Sequence, residues 1–299
     1  MPLCIPLLAA RSEVTIRSPP VYSIIPCPAL SLKAIISFVS VLLILCLLLM
    51  GLLSFRQESM IFFPQKLPGN YQFSFDQPYE EIYIPAKDGV KLHGILFKTI
   101  VPKGLVFYLH GNAGSVDSWG WIGETYTDLG YDLFMLDYRG YGKSEGSIRS
   151  EQEFYEDVQA AYNTLKERYP EHKIVIAGYS IGTAAAARLA ADNNPRLLLL
   201  QAPYYSLGDL MKSLYPVIPT FLLKYKFETY RFVENVAAPV VIFHGDRDEI
   251  IYHGSSEKLK AHLKPADQVI VLEGQGHNGM NENPKYKEEL ARVLASLAG

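Results

Sequence analysis

The stretch "IAGYSIGTAAAA", residues 176–187, places Ser180 between Gly178 and Gly182 in a G-x-S-x-G pattern. The apolar residues before the serine predict a strand, and the alanines after it predict a helix, so Ser180 lies at a sharp strand-to-helix turn. The two glycines relieve crowding at such a turn, and the alanines let the helix lie close to a sheet. A pentapeptide this short also arises by chance, so a nucleophilic role for Ser180 requires partner residues elsewhere in the chain.

The composition narrows the possible functions. The chain has 299 residues, of which 49% are hydrophobic and 20% are charged, and its formal net charge is -3. It is long enough to bury a large core. The charge balance offers no basic surface for nucleic acid, so we expect no nucleic-acid partner. The three cysteines, Cys4, Cys27 and Cys46, all lie in the first 46 residues, so we expect neither disulfides nor a cysteine-based metal site in the rest of the chain.

Residues 34–55, "AIISFVSVLLILCLLLMGLLSF", contain no charge and no proline, and Lys33 and Arg56 flank them. A helix of this length crosses a bilayer core of about 30 Å. The alternatives are a buried core helix, which would show polar periodicity, and a cleaved signal peptide, which would have a shorter apolar region and a small-residue cleavage site. We therefore predict a single-pass transmembrane anchor after an N-terminal tail of residues 1–33. Positive charge is nearly balanced across the span, and signal-anchor topology favours an extracytoplasmic C-terminal domain.

Eight short runs after residue 56 are typical of strands. The first two flank a hairpin signal at Asp88-Gly89, and the other six are nearly continuously apolar, as expected for strands buried on both faces of a parallel sheet. In order, they are EEIYIPA, VKLHGILFK, GLVFYLH, YDLFMLDY, KIVIAGY, RLLLLQ, PVVIFHG and QVIVLEG. Helical patterns alternate with them, and one begins at Ser150, three residues before Glu153, as in a capping box.

This order predicts an α/β domain over residues 56–299, with an eight-stranded, mostly parallel sheet and helices on both faces. Residues 203–238 interrupt the alternation and are rich in Tyr, Phe and Leu. We expect them to form a short helical cap after the sixth strand.

A serine nucleophile needs a base, an acid that orients the base, and donors for the oxyanion. Among the seven histidines, His277 alone follows the last strand, in the turn "GQGHN". Asp248 follows the seventh strand in "HGDRDEII", and the nearby Asp246 is a weaker candidate whose expected role is to structure the turn. The predicted oxyanion donors are the backbone N–H groups of Ile181 and of Asn112 in "LHGNAGS".

Five motifs occur in order at predicted strand ends: "HGNAGS", "DYRGYGKSEG", "GYSIGT", "HGDRDEII" and "GQGHN". Together they resemble the α/β-hydrolase superfamily, in particular its Bem46-like serine hydrolases with an N-terminal membrane anchor, over residues 62–298. The resemblance implies an α/β-hydrolase fold and a catalytic triad of Ser180, Asp248 and His277. Tyr252 stands where related sequences often carry proline, and this difference concerns the loop rather than the chemistry. "GKS" in the second motif lacks the glycine spacing of a nucleotide-binding loop.

These observations predict a serine hydrolase that cleaves carboxylic esters or thioesters through an acyl-enzyme, without a metal or organic cofactor. The expected substrate is a small-molecule or lipid-like acyl compound, since Tyr204, Tyr205 and Met211 of the cap are candidates for lining an acyl-chain pocket. An equal alternative is that these residues only pack the cap onto the core. Two other functions stay open: a serine peptidase or amidase with the same triad, and a catalytically silent, membrane-tethered interaction module.

Overall fold

The computed structural model describes residues 31–298. The predicted tail, residues 1–33, lies outside this range apart from its last three residues, as do Cys4 and Cys27. A boundary between two compact units falls after Leu48, and the sheet and the candidate site belong to the second unit, Leu49–Gly299. This single boundary does not test the residue ranges predicted for the tail, the anchor and the cap.

The first helix, α1 (Leu32–Phe55), covers the apolar segment. Over Leu32–Leu52 it is long and apolar enough to cross a membrane. Signal sequences share that length and composition, so the helix itself is confirmed and its crossing of a membrane is a separate proposal.

Ten strands form in the part of the chain that the structure describes, and eight of them make one sheet. All eight predicted runs form strands of this sheet. The ten are β1 (Phe63–Pro64), β2 (Tyr79–Pro85), β3 (Lys91–Phe97), β4 (Leu105–Leu109), β5 (Ala113–Gly114), β6 (Asp132–Asp137), β7 (Ile174–Tyr179), β8 (Leu197–Gln201), β9 (Val240–Gly245) and β10 (Gln268–Leu272).

Helices connect most of these strands. After α1 they are α2 (Gln57–Ile61), α3 (Val116–Trp119), α4 (Ile122–Thr127), α5 (Glu151–Lys166), α6 (Gly182–Asp192), α7 (Leu207–Leu214), α8 (Thr229–Val233), α9 (Gly254–Leu259) and α10 (Pro284–Ala295). Ser150 caps α5 as its sequence predicts, because its side chain accepts a hydrogen bond from Glu153 N–H. The short α3 and α4 follow directly on the loop after β4, and their few residues gave too little periodicity to predict them.

The large sheet has the strand order β10-β9-β8-β7-β4-β6-β3-β2. β3 is antiparallel to β2 and to β6, and the other neighbours are parallel, so the predicted, mostly parallel sheet is confirmed. The prediction that the six later strands are buried on both faces is wrong for β10, where only Leu272 is buried. This strand lies at the edge of the sheet and has one neighbour instead of two.

Two apolar clusters fill the two faces of the sheet. Phe107 of β4 packs in one cluster with residues of α5 and α6, such as Val158 and Ala184. Tyr108, the next residue of the same strand, packs in the other with residues of α4 and α10, such as Tyr126. The alternation of side chains along a strand sends successive residues to opposite faces, so helices cover both.

The interval predicted as a cap contains α7, a short 3₁₀ turn at Thr220–Leu222, and α8. Its helical character is therefore as expected. An unpredicted feature lies beside the loop after β4: β1 pairs with β5 in a small parallel sheet, and Lys66 bridges to Gly142. This pairing lays the chain that follows α2 along the loop after β4.

Candidate active site

Ser180 lies at the turn between β7 and α6 with a backbone φ of +52°. This left-handed conformation costs a non-glycine residue about 1–2 kcal/mol, so surrounding contacts must hold it. Ser180 N–H donates to the carbonyl oxygen of Gln201 on β8 at 2.9 Å, and Thr183 N–H donates to the Ser180 carbonyl at 3.0 Å. The strained turn projects the serine from the carboxyl end of the sheet.

The two glycines of the motif are required by close packing. A Cβ atom at position 182 would lie 2.3 Å from the carbonyl oxygen of Leu109, and one at position 178 would lie 2.7 Å from Ala186 Cβ. Any side chain at either position would push α6 away from β4 and β7. The spacing of the motif thus follows from how tightly the helix approaches the sheet.

His277 bridges the serine and an aspartate. Its Nε2 lies 3.1 Å from Ser180 Oγ, and its Nδ1 lies 2.8 Å from Asp248 Oδ2. Backbone contacts fix the turn that carries the ring: His277 N–H donates to Glu249 Oε2 at 3.2 Å, and the His277 carbonyl accepts a hydrogen bond from Tyr179 O–H. With Nδ1 donating to the carboxylate, Nε2 is the ring nitrogen free to accept the serine proton.

Asp248 is buried, and both of its oxygens are occupied. Oδ1 accepts from the backbone N–H groups of Ile250 at 2.9 Å and Ile251 at 2.7 Å. Oδ2 faces His277 and also lies 3.2 Å from Nε2 of a second histidine, His244. Burial by itself would raise the pKa of Asp248, but the hydrogen bonds from His244, His277 and Ile251 outweigh it and hold this pKa well below its usual range.

His244 is a contact that the sequence did not reveal. Its Nδ1 lies 2.6 Å from Ser256 Oγ, and its Nε2 lies 2.8 Å from the Ile251 carbonyl oxygen as well as near Asp248. With Ser256 O–H donating to Nδ1, the Nε2–H donates to the Ile251 carbonyl and also faces the Asp248 carboxylate. In the sequence, His244 only ended a strand before a glycine, and no pattern there distinguishes it from a packing residue.

The competing acid, Asp246, lies elsewhere. Its Oδ1 accepts a hydrogen bond from Gly274 N–H at 2.7 Å, and the residue is exposed. This contact joins the turn after β9 to the turn after β10. Asp246 therefore stabilises the pair of loops that carry Asp248 and His277.

Of the two predicted oxyanion donors, Ile181 lies in the serine turn and Asn112 lies in the loop after β4. Within residues 31–298, neither Asn112 N–H nor Ile181 N–H donates to a protein acceptor. Tyr141 O–H donates to the Asn112 carbonyl at 2.7 Å, and Tyr138 O–H donates to the His110 carbonyl at 2.7 Å. Two buried tyrosines thus fix this loop from the following motif, "DYRGYG", while leaving the Asn112 N–H group free.

The three candidate substrate-binding residues of the cap lie in different environments. Tyr204 is buried in the core, and its hydroxyl donates to the Ile181 carbonyl at 3.1 Å. Tyr205 stacks on Tyr230 at a ring-centroid distance of 4.5 Å. Met211 lines a largely apolar cavity of about 260 Å³, and neither Tyr204 nor Tyr205 is among its lining residues. The structure therefore does not bring the three together in one pocket.

No cluster of histidine, cysteine and carboxylate side chains that could hold a metal ion occurs among the residues that the structure describes. At the carboxyl end of the sheet, the structure brings together Ser180, His277 and Asp248, with His277 hydrogen-bonded to the other two.

Comparison with known proteins assigns a family to this fold and site. A family model described as "Serine aminopeptidase, S33" matches residues 101–232. An uncharacterized protein of Mycobacterium tuberculosis (strain CDC 1551 / Oshkosh) is 30% identical over 262 residues, which cover 84% of this chain and 89% of that protein. The α/β-hydrolase domain-containing protein 17B of Xenopus laevis is 30% identical over 203 residues, covering 64% of this chain and 67% of that protein.

Among solved structures, the esterase Pf2001 of Pyrococcus furiosus superposes with a TM-score of 0.65 at 20% identity, covering 80% of this chain and 98% of that one. At this identity the likeness concerns the fold. The chain belongs to the α/β-hydrolase family, and it is a hydrolase enzyme. The predicted superfamily, fold class and enzyme class are confirmed.

Proposed function

We propose that this hydrolase cleaves carboxylic esters or thioesters through an acyl-enzyme formed on Ser180. The observation that carries the proposal is the continuous chain of contacts from Ser180 Oγ to His277 Nε2 at 3.1 Å and from His277 Nδ1 to Asp248 Oδ2 at 2.8 Å. In this arrangement the histidine can remove the serine proton, and the carboxylate orients the histidine, which is what a serine nucleophile requires.

In the acylation step, Ser180 Oγ attacks the carbonyl carbon while its proton passes to His277 Nε2. The carbonyl oxygen becomes negative and is held by the N–H groups of Ile181 and Asn112. The intermediate collapses, the bond to the leaving alcohol or thiol breaks, and His277 returns its proton to that group. Water then gives a proton to His277 and attacks the acyl carbon. The bond from that carbon to Ser180 Oγ breaks, His277 returns the proton to Oγ, and the carboxylic acid leaves. Asp248 stays ionised throughout and stabilises the protonated imidazole.

An acyl substrate is favoured over a peptide by the surroundings of the cap. The cavity that Met211 lines is enclosed largely by apolar side chains, among them Met60, Ile61, Leu207 and Leu223. The lining also includes Gln57 and Tyr215 but no charged side chain, so it accepts a hydrocarbon chain and offers no carboxylate to a free amine. We therefore expect kcat/KM to rise with acyl-chain length in a series of p-nitrophenyl esters; a flat or falling series would contradict this substrate class.

Rapid-mixing kinetics test the acyl-enzyme itself. With p-nitrophenyl acetate, we expect a burst of p-nitrophenol close to one equivalent per active site, followed by slower turnover. Ser180→Ala should lose both phases. A linear time course with full turnover in Ser180→Ala would remove Ser180 from the mechanism.

A peptidase activity is the second candidate, because the matching family model carries the description "Serine aminopeptidase, S33". Aminoacyl p-nitroanilides separate the two. Turnover of these amides comparable to that of the esters would favour the peptidase. The absence of both activities would favour the silent interaction module.

We also propose that α1 is an uncleaved, single-pass anchor and that it holds the hydrolase domain outside the cytoplasm. The apolar length of Leu32–Leu52 supports a membrane span. The intact mass of the protein extracted from membranes distinguishes an anchor from a cleaved signal, since cleavage would remove α1. Digestion of the domain by protease added to sealed, right-side-out vesicles tests the orientation.

A further inference from the structure

The loop between α7 and Lys224 exposes an unusual amount of apolar surface. Residues 215–223 read "YPVIPTFLL" and contain no charged side chain. Val217 is 90% exposed and Phe221 is 81% exposed. We call residues 215–223 the cap loop. Exposed neighbouring apolar residues of this kind mark surfaces that contact a partner or a membrane.

Gln57 fastens the cap loop to the chain that leaves α1. Its Nε2 donates to the Leu222 carbonyl at 2.6 Å, and its Oε1 accepts from Lys224 N–H at 2.8 Å. Gln57 is itself buried, and both bonds are partly buried. Arg56 alone separates Gln57 from Phe55, the last residue of α1. The cap loop is therefore held within one side chain's reach of the residues that directly follow the candidate span.

A second residue strengthens this attachment, and the flanking charges fit the same surface. Glu58 Oε1 accepts from Tyr225 O–H at 3.2 Å and lies 3.4 Å from Lys224 Nζ. Lys212 and Lys224, which bracket the cap loop in sequence, are both exposed. Lysines beside exposed aromatic and aliphatic side chains are typical of segments at a membrane interface, where the ammonium groups reach the headgroups.

We propose that the cap loop inserts Val217 and Phe221 into the interface of the bilayer that holds α1, so that a lipid surface is its partner. This inference rests on the proposed anchor and does not depend on the role of Ser180. Chain continuity favours a membrane over a soluble protein, because the residue bonded to the cap loop lies two positions beyond the apolar helix. The contact would hold the cap, including Met211, at the membrane surface, from which a lipid-like acyl substrate would be drawn.

Fluorescence from the full-length protein in vesicles tests this proposal. In a background with Cys4, Cys27 and Cys46 changed to serine, a nitrobenzoxadiazole probe is attached to Phe221→Cys or to the control Ile100→Cys. Ile100 is 99% exposed and lies in the loop between β3 and β4. This loop precedes β4, at the amino end of the parallel strands, whereas Ser180 lies at their carboxyl end. In phosphatidylcholine vesicles containing phosphatidylglycerol, brominated acyl chains should quench most of the emission at position 221 and leave position 100 unchanged.

Equal quenching at the two positions, or none at position 221, would overturn the proposal. A blue-shifted but unquenched probe at position 221 would also overturn it, since it would indicate a second copy or another part of the protein on the loop. Flotation separates the two levels of the inference: if neither variant floats with the vesicles, the anchor and the docking both fail. If both float and position 221 stays unquenched, the docking alone fails. Thermal unfolding of both variants at the wild-type temperature checks that the fold is intact.

An activity comparison provides an independent readout. Val217→Glu with Phe221→Glu should lower hydrolysis of a long-chain ester embedded in vesicles several-fold and leave hydrolysis of soluble p-nitrophenyl acetate unchanged. Ile100→Glu with Val101→Glu, which places the same charge on an exposed apolar pair elsewhere, should change neither rate. Equal effects of the two pairs on the vesicle substrate would contradict membrane docking by the cap loop.

Discussion

The backbone of Ser180 stores strain that a glycine would release. At φ +52° the residue occupies a conformation that costs a non-glycine side chain about 1–2 kcal/mol. Glycine removes this cost, but it also gives the unfolded chain more conformational freedom, which lowers the free energy of unfolding by about 0.4–1 kcal/mol. Ser180→Gly should therefore have a free energy of unfolding about 0.5–1 kcal/mol higher than that of Ser180→Ala.

The comparison with alanine isolates the backbone term. Both variants lose the hydroxyl and its 3.1 Å contact with His277, so that loss cancels between them. Ala185→Gly, five residues further into α6, is the matched control: glycine in a helix interior costs about 1 kcal/mol, and loss of the buried Ala185 methyl adds to this destabilisation. The control shows that a gain at position 180 is specific to the left-handed turn.

Thermal unfolding in one detergent, followed by the fluorescence of Trp119 and Trp121, measures the difference. For a domain of this size, the expected gain corresponds to a melting temperature about 1–4 °C higher for Ser180→Gly than for Ser180→Ala. A glycine variant that melts at or below the alanine variant, while Ala185→Gly behaves as expected, would refute a strained nucleophile turn.

Three further predictions concern the acid, the helix contact and the oxyanion loop. The pKa of Asp248 is held low in the folded state despite burial, so its charge contributes stability above about pH 4 that is lost as the pH falls toward the folded pKa. The gap in urea midpoint between wild type and Asp248→Asn should therefore narrow on acidification, and a constant gap would contradict this. Gly182→Ala should lose about 1–3 kcal/mol in urea unfolding through overpacking, whereas Gly208→Ala, with no atom nearer than 3.9 Å, should not. Tyr141→Phe frees the Asn112 carbonyl and should lower kcat about tenfold with KM little changed; a rise in KM alone would count against a positioning role.

The sequence predicted those features that depend on long patterns or on position along the chain. Strands such as β4 and β7 were predictable because continuous apolar runs must be buried. Asp248 and His277 were predictable as neighbours of Ser180, since the carboxyl ends of parallel strands meet at one edge of the sheet. Their distances to one another come from the structure, and their catalytic roles stay predictions.

Other features lacked a sequence signal because they depend on single contacts between distant residues. His244 reaches Asp248 only through the shape of the turn after β9. In the sequence, Gln57 resembles any polar residue after an apolar helix, yet its side chain donates a hydrogen bond to the carbonyl of Leu222, 165 residues further along the chain. The pairing of β1 with β5 involves two residues on each side, too few for any periodicity. Tyr204 and Tyr205 lie next to each other in a Tyr-rich segment, and only three-dimensional packing separates their surroundings.

Covalent labelling tests the central claim most directly. The full-length protein is treated with a fluorophosphonate, digested and sequenced by mass spectrometry, with Ser180→Ala treated in parallel. We expect one phosphonylated peptide, modified at Ser180, together with complete loss of ester hydrolysis, and no labelling of Ser180→Ala. An active wild-type enzyme that stays unmodified, or an alanine variant labelled to the same extent as wild type, would contradict the assignment of Ser180 as the nucleophile.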